Sequence, residues 1–93
     1  MWVRNQDKTR LVESKSFEIE RMGKINKDGI WESSNGCRIR DDKGFIIAVY
    51  SSKEKAMKVL DWIQNYLLDL ENAKYNEMNN VVFQMPQDDE VEV

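Results

Sequence analysis

The chain has no histidine, one cysteine and one proline in 93 residues. Without histidine it lacks the commonest general base, the commonest metal ligand and the usual partner of a nucleophilic Ser or Cys. A single cysteine, Cys37, cannot form an intrachain disulfide, which fits a reducing compartment. No Gly-rich phosphate loop, paired CxxC or calcium-loop pattern occurs. The uncharged run between Lys43 and Lys53 is far shorter than the roughly 20 residues a bilayer span needs. The start, MWVRNQDKTR, is charged where a signal peptide would be apolar. These absences predict a cytoplasmic, non-enzymatic protein with no cofactor, no metal and no membrane segment.

What is present is enough for one small domain over residues 1–93. Hydrophobic residues make up 41% and charged residues 33%, too apolar and too patterned for a disordered chain. The net charge of −3 is unevenly spread. Residues 1–50 carry ten Lys/Arg against eight Asp/Glu, and residues 51–93 carry four against nine. Neither balance makes a basic stripe, so nucleic acid is not expected as a partner. The asymmetry itself could favour head-to-tail self-association.

Glycines mark the turns. Asp28-Gly29 and Asn35-Gly36 both read as tight hairpin turns, and DDKG at Asp41–Gly44 suits a three-residue loop with Gly44 left-handed. Pairing Asp41 with Phe45 sets Ile39 opposite Ile47 and Cys37 opposite Val49 on one face. Arg38, Arg40, Ile46, Ala48 and Tyr50 then share the other. FEIER at Phe17–Arg21 alternates as a strand, as do Trp2–Arg4 and Thr9–Glu13 across the NQDK connection. Ile25, Ile30 and Trp31 flank the Asp28-Gly29 turn as a small hairpin.

From Ser51 the period changes to that of a helix over about 52–73. SSKE at Ser51–Glu54 reads as a capping box. Ala56, Leu60, Ile63, Leu67 and Leu70 form an apolar stripe about 80° wide, flanked by Val59 and Tyr66. Burying its four large members would contribute roughly 6–12 kcal/mol before entropy is counted. A short strand over about 81–85 should end at Pro86, which has no N–H to pair, and 87–93 reads as a frayed acidic tail. Trp2 and Val3 would pair beside it. The expected fold class is therefore α+β: an antiparallel sheet of five to six short strands, a half-barrel or meander, packed on one long helix.

Two surfaces stand out. Across the Asn35-Gly36 turn, Trp31 would neighbour Arg40 in a cation–π pair, so Trp31, Arg38, Arg40 and Tyr50 form a candidate binding face. It could stack a base, clamp a small anionic ligand or anchor a protein. A surface ion-pair ladder is the competing reading. On the helix, Met57 and Leu68 project about 100–120° to one side of the stripe and Trp62 about 120° to the other. These three are the candidate interface for a protein partner or a homodimer.

Three blocks, MWVRNQDKTRLVE, YSSKEKAMKVLDWIQ and VFQMPQDDEVEV, resemble small proteins of phages, prophages and related mobile elements of Gram-positive bacteria. That group shares a Met-Trp-Ile/Val-Arg-x-Gln-Asp start and a Met-Pro plus acidic end. The resemblance implies a bacterial cytosol and a mobile-element context, and it implies no activity.

Overall fold

The computed structural model describes residues 1–72 and 82–93. Its elements run β1 (Trp2–Arg4), β2 (Leu11–Glu13), β3 (Phe17–Ile25), β4 (Trp31–Asp41), β5 (Ile46–Tyr50), α1 (Lys53–Asn72) and β6 (Val82–Gln84), then a 3₁₀ turn at Asp88–Glu90. The fold is α+β, with two three-stranded sheets in place of one larger sheet. In the first, β1 lies between antiparallel β2 and parallel β6. Trp2 pairs with Val82 and Val3 with Phe83, so the two terminal strands lie side by side, as the apolar runs at both ends suggest. In the second, β3, β4 and β5 are antiparallel in chain order, and α1 packs on all three.

Both hairpins of the second sheet are built alike. Asn26 and Asp41 each stand before a three-residue loop whose last residue is Gly29 or Gly44. In each case the side-chain Oδ1 accepts from the amides two and four residues on: Asp28 and Ile30 in one loop, Lys43 and Phe45 in the other. Backbone bonds Asn26 N–H to Ile30 O and Asp41 N–H to Phe45 O close them at 2.8 and 3.0 Å. Gly29 and Gly44 have φ of 79° and 85°, where a Cβ would be strained. The Asp28-Gly29 turn is thus a three-residue loop and not a type I′ turn, since Asp28 keeps a negative φ.

Asn35 and Gly36 make no turn. They lie inside β4, where Met22 of β3 faces three residues, Ser34, Asn35 and Gly36. The turn-forming dipeptide is absorbed as a bulge because the loop at 27–29 has already reversed the chain. The β4–β5 register starts as expected, with Arg40 opposite Ile46, and then slips by one. Ile39 meets Ala48 and Cys37 meets Tyr50, leaving Ile47 as the extra residue. Ile47, Ala48 and Tyr50 are buried as a result, and Val49 faces out. Cys37 is buried, as a small core hydrophobe.

Isolated bonds join the sheets without a continuous ladder, among them a buried one from Ser14 Oγ to Asp41 Oδ2 at 2.8 Å. The Gln6 amide donates to Ile47 O at 2.9 Å, and the Gln6 side chain both accepts from and donates to the backbone of Val49. The Tyr50 hydroxyl donates to Pro86 O at 2.8 Å. Asp88 accepts from the Ser51 amide at 2.7 Å and from Lys55 Nζ at 3.2 Å. The C-terminal acids are therefore not a frayed tail: Met85 and Val91 are core residues, and Asp88 clasps the start of the helix. Ser51 is engaged there, so Ser52 Oγ caps the helix instead, accepting from the Lys55 amide at 3.2 Å.

Candidate functional site

The four residues of the candidate binding face are not brought together. Arg38 and Arg40 do share the outward side of β4, opposite Glu20 and Glu18 of β3. Glu20 bridges them: Arg38 Nε donates to its Oε1 at 3.0 Å, and Arg40 Nε donates to Oε2. Arg40 also donates to Gly44 O at 2.8 Å. The bonds from Arg40 and then Arg38 hold the Glu20 carboxyl below its usual range. Both guanidiniums are thus committed within the sheet, in a surface ion-pair ladder. Tyr50 is on the opposite side, 1% exposed, because the Ile47 bulge reverses its facing. Trp31 pairs with Ile25, nine residues from Arg40 along β4 and roughly 25–30 Å away. No Trp31–Arg40 cation–π pair forms; Arg10 sits over the Phe45 ring instead, 4.3 Å from its centroid.

The helix candidates divide. Ala56, Val59 and Ile63 are buried and Leu60 is partly so, but Leu67 is 39% exposed. The buried stripe takes in Val59 and leaves Leu67, one turn beyond Ile63, uncovered. Trp62 packs against the core on that same side, while Met57 and Leu68 remain exposed on the opposite one. Tyr66 continues the buried side and meets the Phe83 ring edge-on, with centroids 5.3 Å apart. Met57 and Leu68 thus share an outward ridge with Asp61, Gln64 and Glu71, at spacings of 4, 3, 4 and 3.

The most conspicuous surface is the far end of β3 and β4. From Gly23 to Asn35 only Asn26 is even partly buried, so this stretch is a two-stranded arm standing clear of the core. At its tip Ile25, Ile30 and Trp31 are 70%, 63% and 55% exposed. Ile25 and Trp31 are a cross-strand pair, and the indole of Trp31 lies over Gly23 on the neighbouring strand. A Cβ at Gly23 would meet the indole at 2.4 Å, so the glycine is what lets the ring lie flat on the arm. The Asn26 side chain donates to Glu32 at 2.9 Å and ties the other side. Lys24 and Lys27 are balanced by Asp28 and Glu32, so the arm carries no net charge.

The arm was foreseeable only in part. Its turn and its apolar residues are plain in the sequence, but the Asn35-Gly36 signal competes by placing Trp31 deep in a second hairpin. The base of the arm adjoins the start of α1 across an open groove of about 350 Å³, lined by Arg21, Ser34, Asn35, Ser52 and Lys53 among others. Among the described residues no group of three or more His, Cys, Asp or Glu is placed to hold a metal. In the same residues no helix is long and apolar enough to cross a membrane. A small α+β protein with an exposed apolar arm is the class these features define. Comparison with protein-family models, curated proteins and solved structures finds no significant match.

Proposed function

We propose that this is a small, non-enzymatic binding protein that engages another protein through the β3–β4 arm. The carrying observation is the arm's tip. Three large apolar side chains at 55–70% exposure sit on a hairpin that contributes nothing buried to the core. Isolated two-stranded hairpins are marginal in water, so an arm of this kind gains its apolar contacts from a partner. Trp is the commonest anchor of protein interfaces, and here its ring is already oriented by Gly23, which lowers the ordering cost of binding. The ligand-binding reading of Arg38 and Arg40 loses its aromatic members and its spare cations, and is set aside. The resemblance of the three sequence blocks supports a cytosolic setting in a bacterium carrying a mobile element.

The test is affinity capture from a Gram-positive host with the native chain and an Ile25→Ser/Trp31→Ser variant. The reading expects a defined protein retained by the first and lost by the second, with binding weakened at least ~30-fold. Equal retention by both, with circular dichroism showing both folded, would refute it.

A further inference from the structure

We infer that the outer edge of β3 pairs antiparallel with the same edge of a second copy, joining two three-stranded sheets into one of six. Hydrogen bonding specifies the occupant. The sheet runs β3-β4-β5, so β3 has β4 on one side and no strand on the other. The Asn26–Ile30 bond closes its loop. By antiparallel alternation Lys24 and Met22 then turn their backbone groups toward β4, while Ile25 and Gly23 turn theirs out. From the other end, Asp41 spends its amide on Phe45, so Arg40 and Arg38 bond Glu18 and Glu20. Phe17, Ile19 and Arg21 therefore face outward as well. Among the described residues these five outward residues of β3 have no backbone partner on that side. Only another extended backbone satisfies such a row. The other edges are managed: β2 and β6 are described over three residues each, and Gln6 closes the edge of β5.

Side chains decide which strand fits and which way it runs. One face of β3 carries Glu18, Glu20, Met22 and Lys24, acidic at its start and basic at its end. The other carries Phe17, Ile19, Arg21, Gly23 and Ile25. A strand polarised in this way complements itself when reversed. With the two-fold axis at Arg21 or at Met22, Lys24 of each copy lies opposite Glu18 or Glu20 of the other. Ile25, 70% exposed in the single chain, then lies opposite Phe17 or Ile19, and the outward backbone groups of both copies stay in phase. In-register parallel pairing would set Glu beside Glu and Lys beside Lys. Each copy spends its one long open edge, so the assembly closes as a symmetric dimer.

The test combines sedimentation velocity with residue-resolved hydrogen exchange on the native chain, from about 10 µM to about 1 mM, a range suited to weak contacts. Average mass should rise with concentration and level at twice that of one chain. In step with it, the amides of Ile19, Arg21 and Gly23 should slow at least ~10-fold, while those of Glu18 and Glu20, already bonded to β4, change far less. Lys24→Glu, shown folded by circular dichroism, should weaken association several-fold by setting acid against acid. A chain monomeric throughout overturns the inference. So does mass that climbs past the dimer, or a dimer without that alternating protection, which would place the contact on another surface. A folded Lys24→Glu chain that associates as well as the native one also overturns it. If the chain stays single while the host protein of the capture experiment is still held through the arm, the binding reading stands and only the self-pairing falls.

Discussion

At Gln6 a side-chain amide takes the place of a backbone amide. Its Oε1 accepts from the Val49 N–H at 2.9 Å and its Nε2 donates to the Val49 carbonyl at 3.0 Å, as a neighbouring strand would. The edge of β5 is closed by one residue of the β1–β2 connection, and Nε2 also reaches Pro86 O at 3.2 Å. Gln6→Ala would leave Val49's pair and part of Pro86 without protein partners, and should cost about 0.5–1.5 kcal/mol in urea denaturation. Nothing about a glutamine in a turn announces this role, so it was not legible in the sequence. Tyr50 makes a second residue-scale prediction. Burial first, then the nearby Asp88 and Glu90 carboxylates, push its phenol well above the usual value of 10.0. A group whose folded pKa is raised adds stability that is complete below its unfolded pKa and lost as pH climbs past it. Stability should therefore fall from about pH 10 upward. Tyr50→Phe should remove that alkaline loss and cost roughly 1 kcal/mol at neutral pH through the missing bond to Pro86, both read from thermal melts across pH.

Among the elements, the helix was the most legible and the sheet register the least. The 3–4 spacing from Ala56 to Leu70 marks the helix and nearly its ends, and Ile63 is 2% exposed as expected. The direction of the stripe could not be read so closely. A wheel assigns Leu67 to the centre, but the helix lies on a short sheet whose residues reach Val59 and Ile63 and end before Leu67. Ile63→Ala should cost about 2–5 kcal/mol, while Leu68→Ala should stay within about 0.5 kcal/mol, compared by urea midpoints. A large loss at Leu68 would mean that the ridge is packed and not open. The register failed at a single residue, Ile47. Asp41–Phe45 and Arg40–Ile46 pair as the loop chemistry dictates, and a bulge then turns Tyr50 inward and Val49 outward. Period-2 reasoning cannot foresee a bulge in FIIAVY, because every choice of inward residues there is apolar.

The whole molecule is longer than its size requires. Its Cα radius of gyration is 14.9 Å, against roughly 12 Å for a compact chain of this length. The arm explains much of the excess, since its residues beyond Met22 leave the body. The α+β class was readable from the switch in hydrophobic period at Ser51. The division into two sheets was not, because the bonds that join them, such as those of Gln6 to Ile47 and Val49, are isolated ones that no strand pattern records. Nor was the order of the C-terminus: alternating acids in DDEVEV look solvated, yet Val91 is 2% exposed and Asp88 bonds Ser51 and Lys55. A closed body carries an arm that takes no part in its core. Residue-resolved hydrogen exchange on the intact chain at low concentration tests this most directly. Amides bonded across β3 and β4 beyond Met22 should exchange at least ~100-fold faster than those of Ile39, Ile47 and Val59, since opening the arm exposes nothing buried. Equal protection in arm and body would show one cooperative unit and contradict the account.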